Sequence, residues 1–251
     1  MRRVLLLVAM ITLGPRAVAH VAPSVDDNNR YVKLTPQADR VRLAYTVFFG
    51  EVPGAGLRPT LDTDRDGAIS DGEAQAYGDR IAADVLAAVE LAVDGKQQRL
   101  AWKQVFVGLG SPTVTAGAFS IDMIAYVCLA RAGGRHELLL RDRFRVPKPG
   151  ETEVRVEDGP GITVEHARIG TSDALANDFK FVGPGGPLSD DGLEVAFVAS
   201  DKAPRSGECV GTATANAARA PWLAIGIGAI ALLLAIALVA RRVLAKPRGS
   251  A

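Results

Sequence analysis

The sequence predicts a mainly β protein: an antiparallel β-sandwich with one inserted acidic loop and one helix, followed by a C-terminal transmembrane helix. Three observations carry this. Short runs alternating apolar and polar residues recur between turn residues through the middle of the chain. One amphipathic stretch follows a loop of alternating acids. An uncharged apolar run then precedes a basic end. Aromatic residues are only 6% of the chain, while glycine (26) and proline (14) are frequent, a composition that suits many turns. The formal net charge of +1 leaves no basic field for nucleic acid, and no nucleic-acid partner is expected.

Taken from the N-terminus, Met1-Arg2-Arg3, the apolar run Val4 to Leu13 and the small residues Ala17-Val18-Ala19 form a secretory leader over 1–19. Its apolar run is too short to span a bilayer. An extracytoplasmic domain is expected over 20–205. Val41 to Phe48 alternates and predicts a half-buried strand. The Gly- and Pro-rich stretch Gly50 to Pro59 predicts no regular helix, with at most one turn from Leu57 to Leu61.

The run Leu61-Asp62-Thr63-Asp64-Arg65-Asp66-Gly67-Ala68-Ile69-Ser70-Asp71-Gly72-Glu73 follows. Asp62, Asp64 and Asp66 fall on alternate positions, Gly67 sits where a sharp turn needs positive φ, Ala68 offers a carbonyl, Ser70 an oxygen and Glu73 a bidentate carboxylate. Loop 62–73 thus resembles an EF-hand calcium loop at every ligand position, and it predicts calcium as the bound ion. Calcium binding is expected in the extracellular range, about 10⁻⁴–10⁻³ M for an unpaired loop. Ser70 and Glu73 also form a capping box, which is the simpler reading of that pair. On the calcium reading Glu73→Gln removes the calcium response and leaves the calcium-free fold close to the parent's.

A helix is predicted over about 71–90, with Tyr77, Ile81, Val85 and Val89 as its apolar stripe. Leu91 to Val93 followed by Asp94-Gly95 signals a hairpin, with the return strand through Leu100 to Phe106. Further strands are predicted at Ala118–Ala130, His136–Phe144, Glu151–Glu157, Gly161–Ile169 and Leu193–Ser200. Small polar residues make 206–221 a linker. Trp222 to Ala240 is uncharged and covers roughly 28 Å as a helix, about one hydrocarbon core. The tail 241–251, with Arg241, Arg242, Lys246 and Arg248, belongs on the cytoplasmic side. The same arrangement is similar to a bacterial C-terminal sorting signal, with Gly207-Glu208-Cys209-Val210-Gly211 as the candidate motif. Either way the expected location is the bacterial cell envelope.

Other chemistry is sparse. His136 and His166 lack Cys, Asp or Glu neighbours at a metal-ligand spacing and read as ordinary histidines. His20, freed by cleavage after Ala19, pairs an amine with an imidazole that together could chelate copper. No nucleophile–base–orienter set is visible, so a non-enzymatic role is expected. Cys128 and Cys209 are expected to pair in an exported chain, within one chain or, through the linker position of Cys209, between two.

Asp39 to Tyr45, the loop from Leu61 to Glu73, Leu91 to Gly95, Gly159 to Val164 and Thr171 to Asp178 occur in this order across residues 20–200. Together they resemble the exported N-terminal domain that precedes bacterial nickel/cobalt-exporter-type membrane proteins. The resemblance implies an extracytoplasmic β-rich domain with one EF-hand-like loop. The chain departs from that pattern in having one membrane helix in place of a transport domain and no histidine-rich segment. Three roles follow: a calcium-binding scaffold anchored by a single pass, with a membrane or envelope protein as partner; an accessory subunit of a metal transporter; or an envelope enzyme. The topology is testable by fusing a reporter that works only in the cytoplasm. Fusion after Ala251 should be active and fusion after Ser200 silent; activity at Ser200 rejects the topology.

Overall fold

The computed structural model describes residues 26–174, 178–182 and 186–209. The leader 1–19, His20, most of the 206–221 linker and the 222–240 span fall outside them, apart from residues 206–209. Among the described residues no helix is long and apolar enough to cross a membrane.

The protein is mainly β. One six-stranded sheet has the order β11-β8-β1-β2-β6-β5 and the other β10-β9-β12-β7-β3-β4. The first is built from β1 (Asn28–Pro36), β2 (Arg40–Phe49), β5 (Trp102–Gly108), β6 (Phe119–Cys128), β8 (Pro149–Val156) and β11 (Asp178–Val182). The second comprises β3 (Val89–Val93), β4 (Lys96–Gln97), β7 (Gly134–Asp142), β9 (Ile162–Ile169), β10 (Ser172–Ala174) and β12 (Leu193–Ala199). The inward side chains of both sheets, Leu43, Tyr45, Val47, Leu91, Leu140 and Phe197 among them, belong to one buried core. This arrangement is consistent with the predicted sandwich.

Among the described residues the pairing is antiparallel with one exception: β1 runs parallel to β8, from Asn28 opposite Pro149 to Leu34 opposite Val156. Strand β1 was not foreseen, because its first third, Asn28-Asn29-Arg30, is polar. Those polar residues are nonetheless buried. The Asn29 Oδ1 accepts from the Glu151 N–H at 2.7 Å, and Asn28 Nδ2 donates to the Pro147 carbonyl at 2.5 Å. Arg30 Nη1 donates to Asp142 Oδ2 at 2.9 Å and to the Phe144 carbonyl at 2.7 Å, and its Nη2 donates to Thr152 Oγ1 at 2.9 Å. Tyr45 Oη donates to the same Asp142 oxygen at 2.8 Å. Asp142 lies on β7, so the ion pair crosses from one sheet to the other.

The hairpin at Asp94-Gly95 is present, with φ of 49° and 74°, the double positive φ of a type I′ turn. Its return strand is only two residues long. The segment predicted to complete it instead crosses to the other sheet, where β5 pairs with β6. Two helices lie between β2 and β3: α1 (Glu51–Leu61) and α2 (Asp71–Ala88). Helix α2 buries Ala74, Tyr77, Gly78, Ala82 and Val85, so the apolar face is rotated from the predicted stripe and Val89 already belongs to β3. Gly78 sets the helix-to-strand distance, since a Cβ there would meet Val107 Cγ2 at 2.5 Å. Trp102 Nε1 donates to the Ala82 carbonyl at 2.8 Å and fixes the same contact. A five-residue helix, α3 (Gly186–Asp190), precedes β12.

Cys128 and Cys209 form an intramolecular disulfide, closing a sequence separation of 81. Ser206 donates its N–H and Oγ to the Asp39 carboxylate, at 3.0 and 2.8 Å. The stretch 206–209, which composition assigns to a linker, is therefore tied to the body of the domain.

The sheet-to-sheet ion pair gives a stability prediction. Asp142→Ala leaves the Arg30 charge buried without its counter-charge and should cost about 3–5 kcal/mol in urea unfolding at neutral pH. Replacing Arg30, Tyr45 and Asp142 together by Met, Phe and Leu should cost less than the single change. A loss under about 1 kcal/mol for Asp142→Ala would show that the pair does not hold the sheets.

Candidate metal centre

The acidic loop sits between two helices, and the first of them is a correction to the sequence reading. Gly50 to Pro59 was expected to exclude a helix; α1 covers Glu51–Leu61 with Pro59 inside it. Pro53 falls in the first turn, where a missing N–H costs nothing. Pro59 opposes the helix, and tertiary contacts override it. Arg58 is fully buried. Its Nε donates to the Gly117 carbonyl at 2.8 Å, its Nη1 to the carbonyls of Ser111 at 2.7 Å and Thr113 at 3.1 Å, and its Nη2 to those of Leu109 and, at 3.1 Å, Ala118. One guanidinium thus organises the whole β5–β6 connection around α1. Burial pulls the Arg58 pKa down, and the nearby Glu51 carboxylate opposes that shift. Gly54 permits the close approach, since a Cβ would meet the Gly117 carbonyl oxygen at 2.6 Å.

The loop is anchored at two apolar points, Leu61 and Ile69, each 2% exposed. An isolated antiparallel bridge joins Ala68 to Thr113. Its hydrogen bonds run from the Ile69 N–H to the Pro112 carbonyl at 2.7 Å and from the Val114 N–H to the Gly67 carbonyl at 3.4 Å. Arg58 and this bridge therefore grip the same connection from two sides. Between these anchors the chain turns through Arg65 and Gly67, with φ of 62° and 89°. Nothing lies within 4 Å of a Cβ built at Gly67, so the backbone conformation, not space, asks for glycine there.

Short acidic side chains stabilise that turn. Asp62 accepts from the N–H groups of Asp66 at 3.2 Å and Gly67 at 3.0 Å. Asp64 accepts from Asp66 N–H at 3.2 Å, and Asp66 accepts from Ala68 N–H at 2.8 Å. These bonds leave carboxylate oxygens of Asp62, Asp64 and Asp66 within 4.8 Å of one another, close enough to share one cation. Asp62 is buried and the other two are exposed, so the group opens to solvent on one side.

Glu73 stands outside this group. Its Oε1 accepts from the Thr63 N–H at 2.5 Å, Thr63 Oγ1 at 2.7 Å and Asp64 N–H at 3.3 Å. Its Oε2 accepts from Ser70 N–H at 3.0 Å and Ser70 Oγ at 2.9 Å, and the Glu73 N–H donates back to Ser70 Oγ at 3.3 Å. The capping box is therefore formed, and Glu73 also staples the start of the loop to its end. Of the six residues the sequence singled out, the structure gathers three carboxylates. Ser70 and Glu73 lie beside them in the cap, and Ala68 lies in the bridge. Thr63 and Arg58 were missed. Thr63 sits between two ligand positions, and the partners of Arg58 lie more than fifty residues along the chain.

The charges respond to this crowding. The Thr63 hydroxyl, the Ser70 and Thr63 N–H groups and the Ser70 hydroxyl hold the Glu73 carboxyl at about 2. Asp64 moves the other way: the Asp66 N–H pulls its pKa down, but desolvation and the charges of Asp66 and Glu73 outweigh that and raise it. All the donors here are oxygens and the central three are anionic, which suits a hard cation. The group fits a metal by its donor chemistry, and a cation would relieve the repulsion that raises Asp64.

His136, expected to be unremarkable, is buried with Nδ1 at 2.8 Å from Asp94 Oδ2 and Nε2 at 3.1 Å from the Gly133 carbonyl. It fastens the β3–β4 turn to β7. No protein-family model matches this chain, and no curated protein matches it.

The two shifts predict opposite behaviour in chelator. The Glu73 pKa is depressed by folding, so its contribution to stability is complete above the ordinary carboxylate range and is lost as pH falls towards 2. Glu73→Gln should therefore lower the melting temperature at pH 7, against the expectation from sequence, and match the parent near pH 2. The Asp64 pKa is raised, so its charged form opposes folding. Asp64→Asn should raise the metal-free melting temperature at pH 7, with the gain shrinking as pH falls through the Asp64 pKa. Equal melts for parent and both variants at pH 7 would contradict these assignments.

Proposed function

We propose that this chain is a calcium-binding module with a binding or scaffolding role, anchored in a bacterial cell envelope with its β domain outside the membrane. The observation that carries the reading is the convergence of Asp62, Asp64 and Asp66 within 4.8 Å in a loop flanked by two helices. Oxygen-only donors at alternate positions, a glycine at the sharp turn and a glutamate closing the loop favour calcium over a softer metal. The Ala68 carbonyl, Ser70 and Glu73 complete the ligand set, with Glu73 exchanging hydrogen bonds from Thr63 and Asp64 for the ion.

Calcium in this role is structural. The loop connects α1 to α2, and its bridge to Pro112 and Val114 couples it to the β5–β6 connection that Arg58 also holds. An ion neutralising the three aspartates would stiffen that joint. The intramolecular Cys128–Cys209 bond supports an oxidising compartment outside the cytoplasm. The partner is a membrane or envelope protein reached from a single-pass anchor.

The test is thermal melting of the full chain in detergent, with millimolar calcium against chelator. Calcium should stabilise by RT ln(1 + [L]/Kd), about 2.7 kcal/mol at one hundred times Kd, and magnesium by much less. Asp62→Asn with Asp66→Asn should abolish the shift. Equal melting temperatures with calcium and chelator would defeat the reading and leave the loop as a helix cap. A shift with nickel or cobalt that exceeds the one with calcium would transfer the reading to an accessory role in transition-metal handling.

A further inference from the structure

We infer that the groove between the start of α2 and the end of β5 is a docking site for a partner-protein segment that carries an apolar side chain between lysines or arginines. The inference gives the proposed scaffolding role a partner chemistry. It uses no carboxylate of the Asp62, Asp64 and Asp66 group, so it stands apart from calcium.

The first observation is apolar surface left open. Among the described residues the large hydrophobic side chains that remain exposed are Val52 and Phe106, and Phe106 is the more open at 66%. Val105 and Val107 face Gly78 of α2. Phe106, between them, turns to the other side of the strand. No described strand lies beyond β5, which ends its sheet. Both sides of the strand can therefore contribute to one groove.

The second is the groove itself, of about 460 Å³. Beside Phe106 its lining includes Val107 and Leu109, both half-buried, and the exposed Pro112. Ile69 and Ala74 also belong to the lining but are buried, so the accessible apolar surface is on the β5 side. The walls are fixed in advance. The Ile69 N–H donates to the Pro112 carbonyl at 2.7 Å and joins the α2 side to the β5–β6 connection. Arg58 holds that connection through the carbonyls of Leu109 and Ser111. A groove that is already formed receives a side chain without the entropy cost of ordering its own walls.

The third is charge. Asp71 is the one charged residue in the lining, and it is exposed. Among the described residues no ion pair or hydrogen bond engages its side chain. Around it, residues 61–79 carry Asp62, Asp64, Asp66, Glu73 and Asp79 against Arg65 alone. The local field is negative, which draws a cationic segment and repels an acidic one. An apolar side chain flanked by cations meets Phe106, Val107 and Leu109 with its centre and Asp71 with its flank.

The experiment uses the full chain in phosphatidylcholine nanodiscs with chelator present, which separates its result from the calcium melt. The probe is the fluorescein-labelled peptide Lys-Lys-Leu-Lys-Lys. Lys-Lys-Ser-Lys-Lys and Glu-Glu-Leu-Glu-Glu are the controls, and empty nanodiscs set the background. The leucine peptide should bind, weaken with rising salt, and exceed both controls by at least about tenfold in affinity. Phe106→Ser should cost at least about tenfold and Asp71→Asn at least about threefold, while Val52→Ser, at the other exposed apolar position, should cost nothing. All three changes are at exposed positions, and unchanged melts verify the fold. A photoreactive group at the leucine position should label residues 69–75 or 106–112 of the parent protein, a readout that needs no variant. Equal binding of the serine peptide, equal binding of the glutamate peptide, full affinity for Phe106→Ser, or labelling confined to other segments would overturn the proposal. So would binding no tighter than to empty nanodiscs.

Discussion

The structure depends on one buried ion pair, Arg30 with Asp142. Both groups are almost completely inaccessible, and they belong to opposite sheets. Taking two charges out of water costs several kcal/mol for each, and attraction alone does not return it. Here further hydrogen bonds are made as well. Asp142 accepts from Arg30, from Tyr45 and, through Oδ1, from the Phe144 N–H at 2.8 Å. Burial raises the Asp142 pKa, against the Arg30 charge, and pushes the Tyr45 hydroxyl well above its usual range. These bonds tie Arg30 of β1 and Tyr45 of β2 to Asp142 of β7, so the network fixes how the sheets face each other. Through Thr152 it also sets the register of β1 on β8, the one parallel pair.

A second buried arginine plays a different part. Among the described residues Arg58 forms no ion pair and instead donates to a ring of backbone carbonyls from Leu109 to Ala118. A connection between strands, with carbonyls that would otherwise need water, is converted into a fixed wall. The acidic loop leans on that wall through Ile69 and the Ala68–Thr113 bridge. The geometry of three aspartates is thus determined partly by a residue that carries no acid and sits outside the loop. An isolated helix–loop–helix of this sequence would lack that support.

Alternation made most of the strands legible, because one face of each is buried and the other is not. Strands β2, β6, β7, β9 and β12 lie where the pattern puts them, within a few residues. The acidic loop was legible for a related reason: a turn whose own side chains bind its own N–H groups needs particular residues at fixed local spacing. Asp62, Asp64, Asp66 and Gly67 display that spacing without any reference to the rest of the chain.

What the sequence could not express is anything decided by contacts between distant segments. Gly50 to Pro59 has poor helix propensity, and α1 forms because Arg58 and Gly54 meet a connection some sixty residues further on. The polar start of β1 is buried because Asp142, Thr152 and Glu151 receive it. The strand after Asp94-Gly95 leaves its hairpin because β6 offers a longer partner. By itself, then, the sequence determined the local patterns: where strands run, where the chain turns, and which acids share a loop. The tertiary structure alone decided which strands are neighbours and which charges are buried, because those depend on desolvation and pairing that no single segment contains.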